Sequence, residues 1–136
     1  MTNEQIIELN RLNNLTNKII GAAIDVHKEL GPGLLESVYE TCLVEELKLR
    51  GIHAESQVDL PIYYKNKILD KNFRIDVLVE DEIIVELKSV DELKPVHEVQ
   101  LVTYLKLSKK KLGLLINFNV PLLRDGIKRK VNGFYL

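Results

Sequence analysis

Phe73-Arg74-Ile75-Asp76-Val77-Leu78-Val79, then Glu80-Asp81-Glu82, then Ile83-Ile84-Val85-Glu86-Leu87-Lys88, is the stretch on which the fold turns. Strand side chains alternate faces. That alternation puts Ile75, Val77 and Val79 on one face, and Ile83, Val85 and Leu87 on one face of the next strand. Pairing these apolar faces through a short loop centred on Asp81 sets Val79 opposite Ile83, Val77 opposite Val85 and Ile75 opposite Leu87. The same register sets Asp76 opposite Glu86 and Arg74 opposite Lys88.

Opposed cross-strand side chains have Cβ atoms roughly 4.5–5.5 Å apart, and like charges there destabilise a sheet. Two facing carboxylates beside a lysine therefore call for a compensating partner. A divalent cation supplies one, and hard oxygen ligands point to Mg²⁺ or Mn²⁺. Lys88 lies two residues after Glu86 and emerges on the same face. A lysine there can orient a water and stabilise charge on a phosphate. The competing reading is an exposed polar sheet face. Leu78 and Ile84, next to the carboxylates, argue that this face is part-covered, and buried carboxylates rarely lack a partner.

Working outward, the apolar positions Ile6, Ile7, Leu9 and Leu12 predict a helix over 3–12, with capping-box spacing between Thr2 and Gln5. Asn13-Asn14 reads as a break. A helix is expected from Thr16 to Leu30, a stop at Gly31-Pro32-Gly33, and a second helix from Leu34 to Arg50 capped by Gly51. Strands follow over 52–64, 72–79 and 83–88, with Asn66 in a turn. Pro95 opens a helix to Leu107. Residues 112–118 form an apolar strand, and 124–136 a basic tail with a short strand or turn. The order α, α, β, β, β, α, β predicts an α/β (α+β) domain with helices on a mixed sheet.

Glu36 and Tyr39, three apart, share a helix face. Glu36 sits in a first turn that favours an anion. It is either a plain helix-start residue or a carboxylate that reaches the cation from across the sheet. Gln100 and Tyr104 share a face of the helix that follows Lys88, and that face could overlook the carboxylates. His97, without a second His or Cys nearby, is a poor metal-site signal. Lys106, Lys109, Lys110 and Lys111 form one basic cluster, and Arg124, Lys128, Arg129 and Lys130 another.

The chain has 136 residues, 46% hydrophobic and 29% charged, which suits one globular domain. A single cysteine, Cys42, excludes an intrachain disulfide and a cysteine zinc site. A net charge of −1 argues against nucleic-acid binding by bulk charge; a nucleic-acid enzyme here needs local basic patches and a bound cation. No apolar run approaches the roughly 18 residues of a membrane span. The polar start lacks a leader pattern, so the expected compartment is the cytoplasm.

At these residues the sequence resembles a known family. Gly33-x-x-Glu36-x-x-Tyr39 matches the signature of the GxxExxY proteins, placed in the PD-(D/E)xK nuclease superfamily. The Gly31-Pro32-Gly33 turn, Asp76…Glu86-Leu87-Lys88, Pro95-x-His97-Glu98-x-Gln100 with Tyr104, and Gly113 to Phe118 extend the match from about Thr16 to the C-terminus. Residues 1–15 would then be a helical extension, and 16–136 the domain. The resemblance implies a restriction-endonuclease-like core, a cation on Asp76 and Glu86, and Lys88 serving the attacking water. It also implies a further acidic group from Glu36 and contributions from Gln100 and Tyr104. Ile75 stands where the superfamily's name calls for proline. The expected partner is nucleic acid, DNA ahead of RNA, and a small domain that cuts both strands would work as a homodimer. The alternative is a non-catalytic module that keeps the fold and binds nucleic acid or protein.

Overall fold

Thr2 starts the first helix. Its hydroxyl accepts from the Gln5 N–H at 3.1 Å, and the Gln5 side chain accepts from the Thr2 N–H at 2.9 Å. In the computed structural model, which describes residues 1–133, α1 then runs unbroken over Asn3–Leu30. The break expected at Asn13-Asn14 does not occur. Leu12, Thr16, Ile19, Ala23 and Val26 form one buried stripe across it, and Arg129 donates to the Asn13 side chain. Packing and that tertiary hydrogen bond outweigh the weak helix propensity of asparagine.

Gly31, at φ 73°, ends α1, and α2 spans Glu36–Leu49. Five strands follow in part: β1 (Ala54–Tyr64), β2 (Lys67–Val79) and β3 (Ile83–Lys88). Helix α3 (Pro95–Ser108) connects β3 to β4 (Leu112–Asn117). A 3₁₀ turn over Leu123–Gly126 leads into β5 (Ile127–Val131), the strand expected in the tail. The last three residues of the predicted tail, 134–136, lie outside the described residues. β2 begins five residues earlier than its apolar pattern suggested, because Lys65 and Asn66, both left-handed, close a tight hairpin.

The sheet order is β1-β2-β3-β4-β5, antiparallel except for β3 and β4. That parallel pair needs a crossover, which α3 supplies. One face of the sheet packs on α1 and α2 through Val77, Val79, Ile83, Val85, Leu87, Leu114 and Phe118. The other packs on α3 through Leu60, Ile75, Leu78, Ile84, Leu101, Leu105 and Leu115. Gly113 is where α3 comes closest: a Cβ there would stand 2.7 Å from Leu101 Cδ1. The fold is thus a mixed five-stranded sheet with flanking helices, consistent with the restriction-endonuclease-like core.

One face assignment is overturned. Ile75 packs under α3, whereas Val77 and Val79 pack against α1 and α2. Across from this switch, Val58 and Leu60 also lie under α3, and Ala54 lies with the other core. Gln57 stands between them with φ 52°. Both strands rotate at the same rung, so their register is the same on either side, Ser56 with Val77 and Val58 with Ile75. Ile75 therefore cannot face Leu87, and Arg74 pairs with Asp59 of β1 at 3.1 Å instead of facing Lys88.

Candidate active site

The β2–β3 ladder closes at Val79/Ile83 and runs through Val77/Val85. Its next rung would set Asp76 opposite Glu86, as the sequence predicted. The side chains take over there. The Asp76 N–H donates to Glu86 Oε1 at 3.3 Å, and the Leu87 N–H donates to Asp76 Oδ2 at 2.8 Å. Each carboxylate thus fills a backbone position that the rotation at Gln57 has opened. Both side chains are half-buried.

Burial, first, and then the Asp76 charge and a hydrogen bond with it push the Glu86 carboxyl up to about 9. With no cation bound, these surroundings favour the protonated Glu86 carboxyl. The donor set fits a hard divalent ion, because two carboxylates with open coordination and water is the usual Mg²⁺ arrangement. Among the described residues, no group of three or more His, Cys, Asp or Glu side chains converges as a cage. Lys88 follows on the same strand, half-buried. Its carbonyl accepts from the Phe118 N–H at 2.9 Å, which fixes the strand end that carries it.

Helix α3 brings Tyr104 to the pair. Burial and then the nearby Glu86 charge raise the tyrosine, with Asp76 adding to the shift. Its ring stacks on Phe73 of β2 at 4.4 Å between centroids, and its oxygen accepts from Gln100 Nε2 at 2.8 Å. The phenolic O–H keeps its own proton to donate. His97 serves the helix start, where its Nδ1 accepts from the Lys94 N–H at 3.1 Å.

Glu36 and Tyr39 part company. Tyr39 is fully buried and stacks on Phe118 at 4.4 Å. Its hydroxyl donates to Gly31 O at 2.6 Å and accepts from the Leu34 N–H at 3.1 Å. Ser89 Oγ donates to Leu34 O at 2.6 Å. These bonds pin the start of α2 to the end of β3. Glu36 itself is exposed. The carboxylate that reaches toward the pair is Glu40, one turn on. Gln57 Nε2 donates to Glu40 Oε1 at 2.7 Å and lies 3.5 Å from Asp76 Oδ1. Burial raises Glu40, and the Asp76 and Glu36 charges add to the rise. Glu40 was legible in principle, four residues from Glu36 on one helix face. Gln57 carried no sequence signal.

Buried Asn117, beside Lys88 in the β3–β4 register, clamps the loop after β3. Its Oδ1 accepts from the Val90 and Asn119 N–H groups, and its Nδ2 donates to Val90 O. Two members of the basic clusters are engaged elsewhere. Lys110 Nζ donates to Asp81 O at the β2–β3 turn, and Lys130 pairs with Glu98 at 2.8 Å.

A family model for the PD-(D/E)XK nuclease superfamily matches residues 13–130, and the chain belongs to that superfamily. Its members act on nucleic acid and generally use divalent metal ions. No curated protein matches the chain. Among solved structures, the crystal structure of SSO0001 matches at 24% identity with a TM-score of 0.47. The match covers 70% of this chain and 48% of that one, so this chain spans about half that structure's length. Among the described residues, no helix is long and apolar enough to cross a membrane.

Proposed function

We propose that this domain is a divalent-cation-dependent nuclease of the GxxExxY type that hydrolyses phosphodiester bonds, in DNA ahead of RNA. Asp76 and Glu86 hold Mg²⁺ or Mn²⁺, with Glu36 and Glu40 as acidic groups acting through water. The observation that carries this reading is the pair of half-buried carboxylates bonded into the end of the β2–β3 ladder in place of backbone rungs, with Lys88 two residues on along β3. Such an arrangement is costly without a compensating positive charge. When bound, the cation would polarise the phosphate and ease ionisation of water. Lys88 orients the attacking water and stabilises charge on the phosphate. Tyr104, its oxygen already occupied by Gln100, donates its proton to a phosphate oxygen. Two copies acting together would serve the two strands of a duplex.

The raised Glu86 carboxyl gives the non-catalytic module some support, because a proton there relieves the repulsion without a metal. Calorimetric titration of Mn²⁺ into the wild type and into Glu86→Gln separates the two readings. Binding to the wild type that is lost in the variant, together with Asp76→Ala abolishing cleavage of a nucleic-acid panel, is expected. Cleavage that persists undiminished in Asp76→Ala would overturn the assignment.

A further inference from the structure

The β1–β2 hairpin outgrows the sheet. β2 pairs with β3 only over Val77–Val79, yet the β1–β2 ladder continues to Tyr64/Lys67. From Asp76 to the tip at Asn66 the arm extends roughly 30 Å at ordinary strand rise. A register shift between Pro61 and Tyr63 twists its outer half. Charge separates along it: residues 61–72 carry Lys65, Lys67 and Lys71 against one acid, Asp70, in a chain whose net charge is −1.

Aromatic rings interleave with those lysines. Tyr64 is 57% exposed, with Lys65 Nζ 5.5 Å from its ring centre. Lys109, from the C-cap of α3, stands 4.5 Å from the Tyr63 ring centre. The root of the arm is the site itself, because Phe73 of β2 stacks on Tyr104.

We infer that this arm is the grip for a single strand of nucleic acid leading into the Asp76–Glu86 site, an inference that rests on the nuclease reading. An exposed tyrosine ring flanked by lysines can stack on unpaired bases while the ammonium groups meet phosphates. In a duplex the base faces are already covered. The arm supplies the local positive charge that the whole chain lacks, on the strand that carries Asp76.

Fluorescence anisotropy with a labelled oligothymidylate in EDTA measures the grip without cleavage. Lys65→Glu/Lys67→Glu and Tyr64→Ala are compared with wild type and with Lys18→Glu on α1 as a charge control, each checked by its melting curve. At least ten-fold weaker binding is expected from the double lysine variant, with Lys18→Glu much less affected. The salt dependence of the double lysine variant should fall by about 1.4 units of slope, roughly 0.7 for each lost phosphate contact on a single strand. With Mn²⁺ present, its KM should rise at unchanged kcat. Wild-type binding that the arm variants retain in full would overturn the inference and leave the nuclease reading standing. Arm variants that split a dimer but keep the oligonucleotide would assign the arm to a second copy of this chain, and losses confined to duplex probes would overturn the single-strand assignment. Failure of the nuclease reading shows separately, as absent Mn²⁺ binding and absent cleavage.

Discussion

Glu86 stands in surroundings that favour its protonated form. Leu78 and Ile84 are buried beside the pair and the Asp76 carboxylate faces it, which together outweigh the Asp76 N–H that donates to it and favours the charge. Its folded value, about 9, lies above the ordinary 4.5. The stability it contributes is therefore complete below 4.5 and is lost as pH rises through about 9. Glu86→Gln stays neutral over that whole span. The metal-free variant is expected to melt above wild type at pH 8 by roughly 5 °C, for about 1–2 kcal/mol. The gap should close toward pH 5. Melting curves across pH in EDTA check this, and a gap independent of pH would show that Glu86 is not the source of the pH dependence. The pair was readable from residue types and spacing alone. The rotation at Gln57 was not, because a left-handed glutamine in a strand has no compositional mark.

Among the elements, α1 shows what a local reading misses. Two adjacent asparagines resemble a turn, and no short-range rule sees that Arg129, far along the chain, takes the Asn13 side chain. Nor does it see that Leu12 is already 2% exposed within the core, or that Thr16 Oγ1 returns its proton to Leu12 O at 2.9 Å. The other elements were legible because their signals are local: Pro95 at a helix start, glycine at helix ends, and alternating apolar residues in β3. Asn14 differs from its neighbour, being exposed in mid-helix. Asn14→Ala should therefore stabilise the chain by about 0.5 kcal/mol through helix propensity, whereas Asn13→Ala should destabilise it by about 1 kcal/mol through the lost hydrogen bond. Denaturant titration of both variants gives the signs. A gain for both would mean that the Asn13–Arg129 contact holds nothing in place.

Over the whole molecule, apolar burial is unequal on the two faces of the sheet. Among the described residues, nineteen form the core under α1 and α2, and seven the core under α3. At roughly 1.5–3 kcal/mol for each large buried side chain, the first face dominates stability. Helix α3 commits only Leu101 and Leu105 fully, while Val96 and Val99 are 63% and 62% exposed. The site straddles this divide. Asp76 and Glu86 are built on strands locked by the larger core, and Tyr104 with Gln100 on the lightly held helix. Native-state hydrogen exchange should resolve two levels of protection, with α3 amides exchanging at least about ten-fold faster than those of mid-α1 and β3. Such a difference would let α3 open over the carboxylates without loss of the sheet, which suits a polymer that must enter sideways. Equal protection in α3 and α1 would instead make the domain one cooperative unit, and strand entry would then have to proceed past a fixed Tyr104.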